Sequence, residues 1–219
     1  MNRISAVVFD MDGVIFDTER LCLDAWKILA ERENMNGIEE VCIRCIGTTT
    51  PETIKILKSE YGEDLEIERL HKELNEIIGK MVAENGMPVK DGVSEILSML
   101  KSRGVPTALA SSTRYEKVCS QLKAAGFLEY FGVVIGGDMI EKSKPEPDIY
   151  LAACERLGTA PENTAAVEDS YNGIRSAHAA GMTTVMVPDI VQPNGEILKK
   201  VDFLCKNLLE AKDIIADRL

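Results

Sequence analysis

The chain is poor in positive charge, in histidine and in long apolar runs. Its 25 Lys and Arg face 36 Asp and Glu, for a formal charge of −11. That balance repels nucleic acid and anionic lipid at long range, although a local cation can reverse the field inside a cleft and admit a small anion. No apolar run approaches the roughly 20 residues needed to span a bilayer. Residues 1–10 read as a structural strand rather than a basic start followed by an apolar leader, so a cytoplasmic location is expected. The six cysteines are scattered through 219 residues, which argues for reduced thiols rather than a disulfide scaffold. Cys42-Ile43-Arg44-Cys45 has the spacing of half a zinc site, but neither a second cysteine pair nor a paired histidine completes it. The two histidines stand apart from every polar cluster: His178 reads as a packing residue in an Ala-rich helix and His71 as a surface residue. Internal repeats and low-complexity tracts are missing too.

What is present is a rhythm of short apolar runs and amphipathic stretches. Ala6–Phe9, Pro106–Ala110, Val133–Ile135, Thr164–Glu168 and Thr183–Val187 read as strands, with a weaker one at Asp202–Leu204. Most lack polar alternation, as expected of strands covered on both faces. Helical patterns lie between them at Val93–Ser102, Arg114–Ala125, Pro147–Leu157, Gly173–Ala180 and Leu208–Asp217. Gly104, Gly126, Gly158 and Gly181 each fall just past a helix, where a left-handed stop is wanted. The alternation predicts a parallel, helix-covered sheet.

One segment breaks the rhythm. From Thr18 to about Gly86 no strand is evident; Leu21–Glu33, Ile38–Cys45, Pro51–Tyr61 and Leu65–Ala83 read as helices. Ile67, Leu70, Leu74, Ile77, Ile78 and Met81 recur at helical spacing, as one buried face requires. This predicts a small helical domain over residues 17–87, inserted into a core formed by residues 1–16 and 88–219, with Asn85-Gly86-Met87-Pro88 as the returning linker.

Chemistry gathers where strands end. The first run, Ala6-Val7-Val8-Phe9, stops at Asp10-Met11-Asp12-Gly13. In a parallel α/β sheet, ligands bind beyond the carboxyl ends of the strands. Two carboxylates held so close repel unless a cation or a proton accompanies them, so the pair predicts a bound Mg²⁺. Three further clusters follow: Ala110-Ser111-Ser112-Thr113, Ser143-Lys144-Pro145-Glu146-Pro147-Asp148 and Val167-Glu168-Asp169-Ser170-Tyr171-Asn172-Gly173. Each has a plain structural alternative. A strand-end Asp can be a helix cap, Ser111 an ST turn, Lys144 a solvated loop residue, and Glu168-Asp169 an acidic cap for the helix that follows.

Taken together and in this order, the four clusters resemble the four motifs of the haloacid dehalogenase superfamily, and the likeness covers essentially the whole chain. The Asp-x-Asp-Gly-Val-x-x-Asp-Thr-Glu start with its helical insertion is similar to the phosphoglycolate phosphatase and β-phosphoglucomutase branch. The resemblance implies an α/β fold with a Rossmann-like parallel-sheet core and an inserted helical bundle as cap. It implies Asp10 as nucleophile, Asp12 as general acid and base, Ser111 and Ser112 as contacts to the phosphoryl group, and Lys144 as the cation beside it. It also implies a Mg²⁺ held by Asp10, the backbone carbonyl of Asp12 and Asp169, with Glu168 binding directly or through water.

In this branch the cap selects the substrate. The loop Gly47-Thr48-Thr49-Thr50-Pro51-Glu52 is the candidate cap segment, with Thr48, Thr49 and Thr50 as substrate contacts; the rival reading is a plain N-cap with Pro51 at the first helical position. The mutases of the branch carry a histidine on the first cap helix and an arginine in the cap loop. By spacing from Asp10 those positions are Cys22 and the neighbourhood of Thr50. Losing the arginine removes a bidentate anchor for a second phosphate. The expectation is therefore a Mg²⁺-dependent phosphatase acting on a small phosphorylated metabolite, a sugar phosphate among the candidates, with a sugar phosphomutase as the alternative. A phospho-accepting receiver-like module and an inactive binding protein are further readings; the helical insertion and Asp12 argue against the first, the complete motifs against the second. A monomer is the simplest expectation.

Overall fold

The structure, a computed structural model, describes residues 3–46, 48 and 50–219, with the backbone alone at Thr50. The chain divides into two compact units, one of Met1–Asp17 with Val89–Leu219 and one of Thr18–Pro88.

The first unit is built on six parallel strands. They are β1 (Ala6–Phe9), β2 (Thr107–Ala110), β3 (Val133–Ile135), β4 (Thr164–Glu168), β5 (Thr183–Met186) and β6 (Phe203–Leu204), in the spatial order β3-β2-β1-β4-β5-β6. Every residue of β1, β2 and β4 is buried, which explains the uninterrupted apolar runs. Strand β1 lies between β2 and β4, with Phe9 opposite Leu109 on one side and Val167 on the other. The sheet order reverses direction between β1 and β4, so the crevice beyond their carboxyl ends is the switch point where such folds bind ligands.

Five helices of this unit follow the strands: α5 (Val93–Ser102), α6 (Tyr115–Ala124), α7 (Asp148–Leu157), α8 (Tyr171–Ala179) and α9 (Leu208–Ala216), leaving α1 to α4 to the other unit. On one face of the sheet, Val8, Ala108, Ala110 and Ala166 pack against Ile149, Tyr150 and Ala153 of α7 and Ala177 of α8. Three of those four strand residues are alanine, which lets α7 and α8 lie close to the strand ends that carry the polar clusters. Residues expected in β2 and α8 shift by small steps for local reasons. Pro106 has no N–H to give the ladder, and serves it only through its carbonyl, which accepts from Val7 N at 3.0 Å. Helix α8 begins at Tyr171 because Ser170 is its cap, its side chain accepting from Gly173 N at 3.0 Å. The cap is thus Ser170 and not the acidic pair before it.

The second unit contains α1 (Thr18–Glu33), α2 (Ile38–Cys45), α3 (Thr50–Tyr61) and α4 (Ile67–Asn85), and no strand among its described residues. Its own core gathers Ala25, Trp26, Leu29, Val41, Leu57, Leu70 and Leu74 from all four helices. The apolar stripe read on α4 is the face it buries: Ile67, Leu70, Leu74 and Ile77. Arg69 on its outer side holds Glu33 of α1 through two bonds of 2.9 and 2.7 Å, and also reaches Glu66 and Glu73. No helix among the described residues is long and apolar enough to cross a membrane.

Leu70 is wholly buried. Leu70→Ala should cost about 2–5 kcal/mol through lost transfer energy and a residual cavity, read from urea unfolding followed by circular dichroism. A loss below the ordinary range of surface substitutions would contradict a packed core in this unit.

Candidate active site

Asp10 is the first residue beyond β1, and its N–H donates to Val167 O at 3.0 Å, which ties it to the neighbouring strand. Its carboxylate Oδ1 accepts from Lys144 Nζ at 2.5 Å. The same ammonium donates to Glu168 Oε1 at 2.6 Å and to Ala110 O at 3.2 Å, so its three hydrogens have three acceptors. The Lys144 side chain is only 7% exposed and that of Glu168 not at all. Lys144 comes from the loop before α7, and that loop is pinned where Ser176 Oγ, buried on α8, donates to Glu146 O at 2.6 Å.

Glu168, the last residue of β4, is held on both oxygens. Tyr150 OH donates to Oε1 at 2.6 Å, beside Lys144. Oε2 accepts from Asp169 N at 3.2 Å, Ser170 N at 3.3 Å and Ser170 Oγ at 3.0 Å. A Cβ on Gly173 would lie 1.8 Å from the Glu168 carboxyl carbon, so only glycine fits there. Gly13 shows the same constraint with a positive φ of 80°: a Cβ would lie 2.1 Å from Asp169 Oδ2.

Asp10, Glu168 and Asp169 form the one group of three or more acidic, cysteine or histidine donors, among the described residues, whose ligand atoms all lie within 4.8 Å of one another. The donors are all carboxylate oxygens, the set a hard cation takes. The electrostatics point the same way. Burial pushes the Asp10 carboxyl up to about 7; Lys144 opposes the rise, while the charges of Glu168 and Asp12 reinforce it. For Lys144, burial favours the neutral amine, yet Asp10 and Glu168 hold it charged, above its ordinary value. Lys144 alone does not neutralise the acidic cluster, and a divalent cation fits both the donor chemistry and the charge. Glu168 is already committed to five donors.

The remaining expected residues fall as follows. Asp12 is half-buried and its Oδ2 accepts from Thr113 Oγ1 at 3.1 Å, which ties it to the segment after β2; its carboxylate stands outside the group of three. Ser111 is 1% exposed and its Oγ accepts from Thr113 N at 3.0 Å, an ST turn that leaves the O–H to donate. Ser112 is exposed, and its carbonyl would meet a Cβ on Gly137 at 2.2 Å, so the segments after β2 and β3 nest through a glycine. In the helical unit, Thr48 is exposed; its hydroxyl donates to Cys45 O at 2.7 Å and lies 2.8 Å from Thr53 Oγ1, linking α2 to α3. Thr49 lies outside the described residues, and Thr50 opens α3. His178 is not a packing residue: Gly173, Ile174 and Ala177 form the buried stripe of α8, and position 178 turns about 100° off it, into solvent. His71 is half-buried rather than on the surface. Sequence reasoning placed Thr113, Ser170 and Gly173 within the polar strand-end clusters without giving them roles, and missed Tyr150 and Ser176, which no local pattern marks.

The helical unit has a cavity of about 230 Å³ of its own, bordered by Glu19, Cys22, Trp26, Cys42, Cys45 and Thr53 among others. None of its described lining residues is Lys, Arg or His. Burial, then the neighbouring Cys22 and Cys45, pushes the Cys42 thiol up to about 12; burial and Glu19 push Cys22 up to about 11. Both are protonated at neutral pH.

A carboxylate–lysine centre at the switch point of a parallel sheet, with oxygen donors for a hard cation, defines an α/β enzyme of hydrolase type. The chain belongs to the haloacid dehalogenase-like hydrolases, whose family model matches residues 7–187. It is 34% identical over 186 residues to a phosphorylated carbohydrates phosphatase of Thermotoga maritima, covering 83% of this chain and 84% of that one. It is 30% identical over 193 residues to the beta-phosphoglucomutase of Bacillus subtilis, covering 84% and 83%. The crystal structure of CbbY from Rhodobacter sphaeroides in complex with phosphate superposes with a TM-score of 0.70 at 27% identity, covering 94% of this chain and 96% of that one.

Two outcomes are expected. Gly173→Ala should destabilise by about 1–3 kcal/mol through overpacking against Glu168 and lower the melting temperature by several degrees in calorimetry; an unchanged melt would contradict the close approach. Site-resolved alkylation by mass spectrometry should show Cys22 and Cys42 reacting at pH 7.5 at least about tenfold more slowly than an unperturbed thiol, the rates climbing only as the pH nears 11. Fast labelling at pH 7.5 would contradict their burial.

Proposed function

We propose that this protein is a Mg²⁺-dependent phosphomonoesterase that hydrolyses a small phosphorylated metabolite, with sugar phosphates as the substrate class, through an aspartyl-phosphate on Asp10. The observation that carries the reading is Lys144 Nζ bridging Asp10 and Glu168, with Asp169 completing an oxygen-donor cluster at the ends of β1 and β4.

In this reading an Asp10 oxygen attacks phosphorus and the bond from phosphorus to the ester oxygen breaks. Asp12 gives its proton to the departing alkoxide, then takes one from the water that attacks the acyl-phosphate, releasing inorganic phosphate and regenerating the Asp10 carboxylate. Lys144 lies against Asp10 and offsets charge spreading over the transferred phosphoryl oxygens. Ser111 Oγ donates to one of those oxygens, with Ser112 beside it. A Mg²⁺ held by Asp10, Asp169 and the carbonyl of Asp12, with Glu168 adjacent, supplies charge neutralisation when bound. The helical insertion acts as the substrate-selecting cap, and the enzyme works as a cytoplasmic monomer.

Phosphatase is preferred to mutase on the insertion's composition. A bisphosphate intermediate needs a cationic anchor for its second phosphate. Cys22 stands where the mutases have histidine, and the cavity it borders has no cationic lining among the described residues. Arg44 is engaged with Glu60 at 2.6 Å. The phosphatase relative from Thermotoga maritima points the same way. The second reading, a sugar phosphomutase, draws on the Bacillus subtilis relative.

The test is phosphate release over a panel of sugar phosphates, phosphoglycolate and nucleotide monophosphates, with isomerisation of β-glucose 1-phosphate followed in parallel. Hydrolysis of at least one sugar phosphate is expected, falling to background in EDTA. Asp10→Asn should reduce turnover by about three orders of magnitude or more, as loss of a nucleophile does, with little change in melting temperature. Turnover in EDTA without added metal, or an active Asp10→Asn, would contradict the mechanism, and isomerisation without phosphate release would favour the mutase.

A further inference from the structure

Tyr150 is the largest fully buried side chain of the protein, at 0% exposure on the first turn of α7, and it touches both charged partners at once. Its hydroxyl donates to Glu168 Oε1 at 2.6 Å, the oxygen that also receives Lys144. Its ring lies under the Lys144 ammonium, 5.0 Å from ring centre to Nζ. The cluster around it is otherwise alanine, valine, isoleucine, methionine and cysteine. A buried phenol in such surroundings is costly unless its hydroxyl is bonded, and here the bond goes to the acid that orients the site's lysine.

We propose that Tyr150 is a positioning residue of the active site, one that fixes Glu168 and through it sets Lys144 between Asp10 and Glu168. Glu168 is clamped on Oε2 by Ser170 and backbone N–H groups, in the space that Gly173 leaves open on α8. Rotation of the carboxylate about its own axis is opposed on Oε1 by two donors. One of them, Lys144, must also serve Asp10, and its hold on Glu168 loosens whenever its charge is drawn toward a phosphoryl group. The other, Tyr150, has no second acceptor to serve. The phenol therefore keeps Glu168 in place while Lys144 responds to substrate. Groups that orient a charged site in this way from outside the reacting atoms change metal affinity or activity by about 10–100-fold when removed.

This inference rests on the phosphatase reading, and the experiment separates the two. Tyr150→Phe keeps the ring over Lys144 and the packing volume while deleting the hydroxyl. The variant and the wild type are compared in steady-state hydrolysis of the best substrate at saturating Mg²⁺, in Mg²⁺ binding by calorimetry without substrate, and in thermal melting. The expected result is a fall in kcat of about tenfold or more with KM within about twofold, and Mg²⁺ binding weakened several-fold. Tyr150→Leu, which removes the ring as well as the hydroxyl, should lower kcat at least as far. If kcat and the Mg²⁺ dissociation constant of Tyr150→Phe both match the wild type, so that only the melting temperature moves, Tyr150 is a packing residue and the inference is overturned. If the wild type itself hydrolyses no phosphomonoester, it is the phosphatase reading that has failed.

Discussion

The polar ends of β1, β2 and β4 meet at one ammonium group. Lys144 Nζ, almost wholly removed from water, lies between the Asp10 and Glu168 carboxylates. Each of these charges alone would be expensive to bury; together, with Lys144 donating to three acceptors and Glu168 accepting from five donors, they are tolerable. Removing the one cation of such a set typically costs about 3–5 kcal/mol, because the carboxylates are left uncompensated. The triad also leaves the site short of positive charge, since Asp10, Asp12, Glu168 and Asp169 meet a single lysine there. That shortage gives a cation a reason to bind.

The fold follows from the need to bring these groups together. Asp10 and Glu168 come from opposite ends of the chain, and β1 and β4 are neighbours in the sheet, so parallel pairing sets the two strand ends side by side. Alanines at positions 108, 110 and 166 let α7 and α8 approach the sheet, and α7 carries Tyr150 to the carboxylate while α8 anchors the Lys144 loop through Ser176. Two glycines, Gly13 and Gly173, vacate the space that Asp169 and Glu168 occupy. The placing of these carboxylates thus rests on backbone approach as much as on side-chain identity.

Much of this was legible in the sequence. Buried strands of parallel sheets are mostly apolar, so five runs announced themselves and Asp202–Leu204 less clearly, and the polar residues that end the central ones had to lie at the ligand-binding edge. The stripe from Ile67 to Ile77 marked α4 with equal clarity. Less legible were the residues that support the site. Tyr150 sits at a position where periodicity asks for an apolar side chain, and nothing in the pattern separates a phenol that packs from one that bonds a carboxylate. Ser170 and Ser176 are small polar residues of a kind found on any helix. His178 misled because an Ala-rich helix suggests burial all round, whereas α8 buries only the stripe through Gly173, Ile174 and Ala177. The donors on Glu168 come from two stretches, residues 144–150 and 169–170, and only the second lies in a local window around it.

The helical unit holds a cavity with protonated thiols and no cationic lining among its described residues. The chemistry proposed for the other unit begins on Asp10. Its most direct test is acid quenching during turnover, followed by peptide mass spectrometry with and without hydroxylamine. The account predicts a phosphoryl increment on the peptide containing Asp10, absent after hydroxylamine treatment. Steady turnover with the increment on another residue, or on none, would contradict it.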